Sequence, residues 1–282
     1  MLVIKDINLA KKHLREVKLK RRIIGFVPTM GALHEGHLSL IRKAREDCDV
    51  VVVSIFVNPA QFGPGEDFER YPRDLDCDLK LCEIEGVDFV FVPSEKDMYG
   101  EDFSTWVEVT GKITQTLEGA FRPGHFRGVT TVLTKLFNIV LPDRSYFGEK
   151  DYQQALIVKK MVKELNFDTQ IVLMPTIREK DGLAWSSRNT YLNREERKAA
   201  RILYQSLIRA KTEIQSGEDN PSRIISLLEE FIREEPLAKI DYIALVDPET
   251  LEPLKEINGE VLVALAVRIG GVRLIDNMRI TP

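Results

Sequence analysis

The chain has 282 residues, enough for one large hydrophobic core or for a larger and a smaller domain. Hydrophobic residues make up 44% and charged residues 30%, as in globular proteins, and the net charge of −4 gives no general support for nucleic-acid binding. No apolar run approaches the roughly 18 residues of a membrane span, and residues 1–22 lack the apolar core of a signal peptide. The three cysteines lack C-x-x-C spacing, so neither a disulfide framework nor a zinc site is indicated and a cytoplasmic location is expected.

The first part of the chain alternates helical and strand patterns. A helix is predicted over 7–20, the first strand over 23–27, and a second helix over 38–46. The run over 50–57 is almost uninterruptedly apolar, which is typical of a strand buried on both faces of a parallel sheet. Strand, helix and strand in this order form a βαβ unit with a right-handed crossover.

The middle of the chain continues this alternation around a basic, glycine-rich segment. Residues 119–128 are predicted to form a loop in which Arg122, His125 and Arg127 either line an anion site or lie in an ordinary surface connection; the sequence favours neither. The elements predicted around this loop are a helix over 73–85, a strand over 88–92, an edge strand over 104–109, a helix over 129–140, a strand over 145–147, a helix ending near 165 and a strand over 169–174.

Beyond Tyr191 the alternation of strands and helices ends, and the pattern becomes two helices followed by short β runs. Asn193 is predicted to cap a long charged helix that reaches about residue 216, and Pro221 begins another helix. Short β runs follow at 240–246, 261–267 and 273–275. We therefore expect an α/β fold with a parallel-sheet domain over 1–176 and a smaller α+β domain over 177–282 that closes over the site.

The segment PTMGALHEGH, residues 28–37, joins the first predicted strand to a helix. Helix N-termini present unpaired N–H groups and a partial positive charge, so anions bind there. His34 and His37 add donors that can become cationic near neutral pH. An isolated H-x-x-H pair is more often a cap and a surface residue, but the strand–turn–helix context favours a phosphate site here.

Other polar segments also follow predicted strands. Residues 58–63 follow the second strand, and residues 148–154 follow the strand at 145–147 and open a helix. Because ligands bind beyond the carboxyl ends of strands in an open α/β sheet, we expect these segments and residues 28–37 to face one crevice. Residues 186–189 form a further polar loop with an anion-binding character. Neither a Walker loop nor a G-x-G-x-x-G sequence is present, which disfavours P-loop enzymes and Rossmann dehydrogenases.

The chemistry of these segments points to ATP. Four candidate cations, with neutral donors from Ser186 and Ser187, suit phosphoryl or nucleotidyl transfer: His34, His37, Lys150 and Arg188. Gln61 and Gln154 can hydrogen-bond a hydroxyl and a carboxylate without neutralising the carboxylate, although glutamine is also common at helix starts. From the residues alone, the chain is an ATP-using transferase or ligase of the α/β class.

Three aspartates recur at spacing two, at residues 74, 76 and 78. At about 100° per residue they cannot share one helix face, so they do not form a carboxylate cage. Asp78 is kept as a candidate ligand of a phosphate-bound Mg²⁺, because that ion often takes only one or two protein carboxylates.

Six motifs resemble those of the pantoate–β-alanine ligase family, which belongs to the H-I-G-H nucleotidyltransferase superfamily. They occur in order over most of the chain: FVPTMGALHEGHLSLI, FVNPAQFG, YPRDLDCDL, GAFRPGHFRGV, FGEKDYQQ and SSRNTYL. The resemblance implies a Rossmann-like nucleotidyltransferase domain and a two-step reaction. Pantoate attacks the α-phosphorus of ATP to give pantoyl adenylate and pyrophosphate, and the amine of β-alanine then converts the adenylate into pantothenate and AMP.

The resemblance also implies roles for particular residues. His37, His34, Lys150 and Arg188 are the implied catalytic residues, and Gln61, Gln154 and Asn58 the implied substrate-binding residues. The implied ATP-binding residues are Met30, Gly31, Ala32, Leu33, His34, Glu35, Gly36, His37, Gly148, Glu149, Lys150, Asp151, Ile177, Trp185, Ser186, Ser187 and Arg188. Mg²⁺, held mainly through the ATP phosphates, and a homodimer are implied as well.

Two positions depart from the family pattern. Trp185 precedes Ser186 where the family usually has Met, and Cys77 stands where members often carry an acid. The alternative function is a related nucleotidyltransferase that leaves the nucleotide on its product. Gln61 and Gln154, in their matching contexts, favour the ligase.

Overall fold

The computed structural model describes all 282 residues, which form two compact units. The first unit consists of residues 1–110, 122–148 and 154–175, and the second of residues 111–121, 149–153 and 176–282. No helix is both long enough and apolar enough to span a membrane.

Nine strands and ten α-helices make up the two units. The strands are β1 (Leu2–Ile4), β2 (Ile24–Thr29), β3 (Val50–Ile55), β4 (Phe89–Phe91), β5 (Arg144–Gly148), β6 (Gln170–Met174), β7 (Ala238–Val246), β8 (Val261–Ile269) and β9 (Val272–Ile280). The helices are α1 (Ile7–Leu19), α2 (Glu35–Asp47), α3 (Leu75–Ile84), α4 (Glu95–Met98), α5 (Glu118–Phe121), α6 (His125–Val140), α7 (Tyr152–Glu164), α8 (Arg194–Ala199), α9 (Ile202–Gln215) and α10 (Pro221–Arg233).

The first unit is built on a six-stranded parallel sheet with the order β1-β4-β3-β2-β5-β6. All six residues of β3 are buried, as the continuous apolar run predicted. The strand order reverses at β2, which pairs with β3 on one side and with β5 on the other. Such a reversal leaves a crevice beyond the carboxyl ends of the two strands, where ligands bind in open α/β sheets. Thr29 at the end of β2 and Gly148 at the end of β5 therefore mark the crevice of this unit.

The second unit contains a three-stranded antiparallel sheet, β7-β8-β9. Apolar residues of α9 and α10 pack with every second residue of β8 in one core, which includes Leu207, Leu228, Val263 and Leu265. The predicted fold class, a Rossmann-like parallel sheet with a smaller α+β domain, is confirmed.

Several predicted elements were wrong. Residues 104–109 form no strand, because the backbone of Val107 bonds to threonine hydroxyls of α6 and not to a neighbouring strand. The glycine-rich loop contains α5, and α6 already begins at His125. The predicted loop at 186–189 is largely a 3-10 helix, Ser187–Tyr191.

The C-terminal helix and strand lengths also differ from the prediction. Asn193 caps a helix as predicted, but α8 ends at Ala199. At the junction with α9, the N–H groups of Arg201 and Leu203 bond to the carbonyls three residues earlier, so the chain does not continue as one α-helix. The last strand, β9, is much longer than the predicted run at 273–275. β1 was not predicted, since three residues are too few for a periodic pattern.

Candidate active site

A tight turn connects β2 to α2. Gly31 and Ala32 both adopt left-handed backbone conformations, with φ of 77° and 50°. The turn is held by the carboxylate of Asp78 on α3, which accepts the N–H of Ala32 at 2.9 Å and the N–H of Leu33 at 2.7 Å. A Cβ atom on Gly31 would lie 2.8 Å from this carboxylate, so both the φ angle and the space require glycine. The sequence TMGAL therefore presents the N-terminus of α2 in one fixed position.

His34 and His37 form the N-terminal cap of α2. The Nδ1 atom of His34 accepts the N–H of Gly36 at 3.2 Å, and the Nδ1 atom of His37 accepts the N–H of His34 at 3.3 Å. The centroids of the two rings lie 4.1 Å apart, and the ring planes are tilted by 35°. A nitrogen that accepts a hydrogen bond carries no proton, so this pattern assigns the ring proton of each neutral imidazole to Nε2. Both side chains are therefore N–H donors at a helix N-terminus even without a positive charge.

Gln61 ends a short 3-10 helix, Pro59–Gln61, that follows β3. Its side-chain Oε1 accepts a hydrogen bond from Asn58 Nδ2 at 2.9 Å, and its Nε2 points to the sulfur of Met30 at 3.3 Å. α6 packs tightly against this 3-10 helix, since a Cβ on Gly128 would come within 2.1 Å of the carbonyl oxygen of Ala60. The structure thus brings Met30, Asn58 and Gln61 together at the ends of β2 and β3.

A hydrogen-bonded network of charged and polar side chains contacts the backbone carbonyl of Gln61. Arg122 makes two hydrogen bonds to the carboxylate of Glu66, at 2.8 and 2.7 Å, and also donates to the backbone carbonyl of Gln61. His125 donates from Nδ1 to the same carbonyl at 2.9 Å, and its Nε2 accepts from Arg122 at 3.1 Å. Arg127 stacks on the ring of Trp106. The basic segment is thus neither a plain surface connection nor a row of unpaired cations: Arg122 and His125 fix the backbone of Gln61.

The strand β5 ends at Gly148 beside the switch point of the sheet, and Gln154 is half-buried in the first turn of α7. In the second unit, the side-chain amide of Asn277 donates to the carbonyls of Glu149 at 3.0 Å and of Lys150 at 2.8 Å. Lys150 is half-buried and Asp151 is exposed. A residue of β9 therefore holds the backbone that carries Lys150.

Residues 177–185 form a hairpin in the second unit. Arg178 pairs with Ala184, and the N–H of Trp185 donates to the carbonyl of Ile177 at 3.0 Å. Arg178 is held by two hydrogen bonds to Asp276, at 2.6 and 2.9 Å, and the Asp276 side chain is only 1% exposed. Burial raises the pKa of Asp276, while the guanidinium of Arg178 acts in the opposite direction. The departure at Trp185 leaves the backbone of the hairpin intact.

Ser186, Ser187 and Arg188 begin the 3-10 helix that follows the hairpin. The hydroxyl of Ser186 caps this helix by accepting the N–H of Arg188 at 3.3 Å. Ser187 is buried, and Arg188 is half-buried. The three predicted residues thus share one capped turn.

Four residues that position this site were not found from the sequence: Glu66, Tyr99, Asp276 and Asn277. Each of them acts on a partner at least 41 residues away in the chain. The sequence carried a weak signal only for Glu66, which lies in the acidic segment that follows Gln61.

The structure contains no group of three or more His, Cys, Asp or Glu side chains that can hold a metal ion. Both oxygens of Asp78 accept backbone N–H groups of the turn, and its side chain is 2% exposed. Burial raises the pKa of Asp78, and these two hydrogen bonds oppose that change. Asp78, the predicted Mg²⁺ ligand, is therefore engaged as a hydrogen-bond acceptor of the turn between β2 and α2.

The fold and the site together define an α/β enzyme of the nucleotide-using class, in which a helix N-terminus with two imidazole donors lies at the switch point of a parallel sheet. A sequence profile of the pantoate-beta-alanine ligase family matches residues 2–279. Pantothenate synthetase of Carboxydothermus hydrogenoformans is 58% identical over 272 residues, which are 96% of each chain. That of Fervidobacterium nodosum is 56% identical over 99% of each chain.

Solved structures agree with the sequence comparisons. The crystal structure of pantothenate synthetase from Thermus thermophilus has a TM-score of 0.95 and 46% identity, with complete coverage of both chains. Pantoate-beta-alanine ligase from Francisella tularensis, complexed with beta-gamma ATP and beta-alanine, has a TM-score of 0.83 and 38% identity over 99% of this chain and 97% of that one. The chain belongs to the pantoate-beta-alanine ligase family. The reaction of this family is the ATP-dependent condensation of pantoate with β-alanine.

Proposed function

We propose that this chain joins (R)-pantoate to β-alanine through a pantoyl-adenylate intermediate, with release of pyrophosphate and AMP. The observation that carries the proposal is the cap of α2. Two imidazoles whose Nδ1 atoms accept backbone N–H groups present their Nε2–H donors beside the switch point of the sheet. A site built in this way favours the negative charge of phosphate oxygens.

In the first step, an oxygen of the pantoate carboxylate attacks the α-phosphorus of ATP, and the bond from that phosphorus to pyrophosphate breaks. His34 and His37 donate hydrogen bonds to phosphate oxygens, and Lys150 and Arg188 supply positive charge. Stabilising the charge on these oxygens provides most of the catalysis in such transfers. The turn that begins at Met30 and the capped segment that begins at Ser186 hold the nucleotide.

In the second step, the neutral amine of β-alanine attacks the carbonyl carbon of the adenylate. The bond from that carbon to the AMP oxygen breaks, and the nitrogen loses one proton as the amide forms. Gln61 and Gln154 hold the pantoyl group, and Asn58 supports Gln61 through the hydrogen bond between their side chains. Holding the two reactants in place can lower the barrier by about 7–11 kcal/mol, so strong activation of the amine is not required.

The same proposal includes Mg²⁺, a homodimer and a cytoplasmic location. Mg²⁺ would neutralise charge on the phosphates and would be held chiefly by ATP, with Asp78 as the predicted protein carboxylate. The proposal keeps the predicted domains over 1–176 and 177–282, with Ile177 and Arg188 as nucleotide-binding residues of the second domain. These features are supported by the family resemblance.

Pyrophosphate exchange into ATP tests the first step. The wild-type chain is expected to exchange labelled pyrophosphate when pantoate is present and β-alanine is absent; no pantoate-dependent exchange would refute the proposal. His37→Ala and Lys150→Ala are each expected to lose at least about tenfold in rate, or roughly 1.4 kcal/mol. His13→Ala and Lys159→Ala, on α1 and α7, serve as matched controls and should retain the wild-type rate.

The alternative is a nucleotidyltransferase that leaves the nucleotide on its product. Product analysis with all three substrates separates the two reactions. Both reactions release pyrophosphate, but the ligase also releases AMP and one equivalent of pantothenate, whereas the alternative enzyme keeps the nucleotide on a stable product. The second outcome would replace the ligase by the nucleotidyltransferase even if exchange depends on pantoate.

A further inference from the structure

We propose that Tyr99 and Asn58 are positioning residues that orient the amide of Gln61, so that its NH₂ group and not its oxygen faces the substrate. This inference rests on the proposed function, in which pantoate binds at Gln61. It extends the site to Tyr99, which lies just after α4 and was not among the predicted site residues.

The side-chain amide of Asn58 is saturated with hydrogen bonds. Its Oδ1 accepts from the Tyr99 hydroxyl at 2.7 Å and from the N–H of Ala60 at 3.3 Å. Its Nδ2 donates to Gln61 Oε1 at 2.9 Å and to the carbonyl of Gly128 at 3.2 Å. An asparagine amide offers two acceptor sites and two donor hydrogens, so none is left for a ligand. Asn58, which is 1% exposed, therefore acts on the substrate through Gln61 and not by direct contact.

The polarity of these partners decides which way the Asn58 amide faces. The Ala60 N–H can only donate and the Gly128 carbonyl can only accept, so the oxygen of Asn58 must face Ala60 and its nitrogen must face Gly128. Tyr99 adds the shortest of the four bonds. Burial raises the pKa of Tyr99, which keeps its hydroxyl protonated and able to donate. The Tyr99 ring in turn contacts the rings of Phe56 and Phe103, at centroid distances of 6.2 and 4.9 Å.

The orientation of the Asn58 amide determines the orientation of the Gln61 amide through the hydrogen bond between them. Because Asn58 presents an N–H, Gln61 must offer its oxygen to that neighbour, and its nitrogen then points away, toward the sulfur of Met30 at 3.3 Å. A thioether is a weak acceptor, so an incoming carboxylate or hydroxyl oxygen can take its place. The arrangement selects an oxygen acceptor on the substrate and disfavours a donor at the same position.

Tyr99→Phe removes only the hydroxyl that begins this chain of contacts. We expect the KM for pantoate to rise about threefold to tenfold, which is the loss of roughly one hydrogen bond, while the KM for ATP stays within about twofold. Tyr146→Phe is the matched control, because Tyr146 is also buried in the first unit but bonds to Asp47 and Cys48 at the far end of α2. The control is expected to keep both KM values. Equal increases for both substrates in Tyr99→Phe would show a general loosening and overturn the inference.

A double-mutant cycle with Gln61→Ala tests whether Tyr99 acts through Gln61. If it does, Tyr99→Phe has little further effect on the KM for pantoate once the Gln61 amide is absent. Additive effects in the double mutant would overturn the inference. Asn58→Asp provides a second route, since aspartate cannot donate to Gln61 and is expected to raise the KM for pantoate more than Tyr99→Phe does. Failure of the proposed function is distinct, because the wild-type chain itself would then show no pantoate-dependent pyrophosphate exchange.

Discussion

The turn at Gly31 allows a quantitative test of how the site is built. Gly31→Ala places a side chain at φ 77° and a Cβ 2.8 Å from the Asp78 carboxylate. The left-handed backbone costs about 1–2 kcal/mol for an L-residue. Moving the carboxylate weakens one of its hydrogen bonds to the turn, which adds about 1–2 kcal/mol. We therefore expect the free energy of unfolding to fall by about 2–4 kcal/mol.

Gly65→Ala is the control for this substitution. Gly65 has nearly the same φ, 81°, but nothing lies within 4 Å of the added Cβ, so only the backbone strain of about 1–2 kcal/mol is expected. Urea unfolding measures both changes, and pyrophosphate exchange measures activity. Gly31→Ala should also lose at least about tenfold in rate, because the displaced turn moves His34 and His37. If Gly31→Ala is no more destabilising than Gly65→Ala and keeps full activity, the role assigned to the turn is wrong.

Two further predictions concern charged pairs. Asp276→Asn is expected to lower the free energy of unfolding by about 3–5 kcal/mol, because Arg178 loses its buried charged partner. Glu229→Gln removes one partner of an exposed pair and should change the free energy of unfolding by less than about 1 kcal/mol. Similar urea midpoints for the two variants would contradict this prediction. Burial has the largest single effect on the pKa of Glu66 and raises it, but the hydrogen bonds and positive charge of Arg122, with smaller contributions from other neighbours, together lower the pKa. The stability that this pair contributes is therefore present above the ordinary pKa of 4.5, and it is lost as the pH falls through the lower pKa of Glu66 in the folded chain. Between about pH 7 and pH 3.5, the free energy of unfolding of the wild-type chain should fall by more than that of Glu66→Gln. Parallel pH curves would exclude that contribution.

The parts of the fold that depend on local patterns could be predicted from the sequence. The apolar run at 50–57 required a strand buried on both faces, and its first six residues form β3, which lies inside the sheet between β4 and β2. The turn residues at 28–37 were sufficient to place a helix N-terminus directly after a strand. Asn193 and Pro221 marked helix starts correctly, since capping depends on groups within three or four residues.

Other local patterns were misleading because tertiary contacts override them. Residues 104–109 alternate like an edge strand, but their backbone groups bond to side chains of α6. The basic segment at 119–128 has the composition of a loop, yet His125 begins a helix whose first turn is fixed by contacts to Gln61 and Arg122. β1 exists only because β4 pairs with it along the edge of the sheet.

The sequence by itself determined which residue types the site contains and the order in which they follow the strands, because strand, turn and helix signals act over a few residues. Only the tertiary structure decided how those residues are held. Tyr99 reaches Asn58 from 41 residues away, Arg122 reaches Glu66 from 56, and Asn277 reaches Lys150 from 127. A buried polar group must find a partner, but the partner is supplied by whichever segment the chain crossovers bring beside it. The direction in which Gln61 presents its amide is therefore a property of the folded chain, set by neighbours that no local pattern identifies.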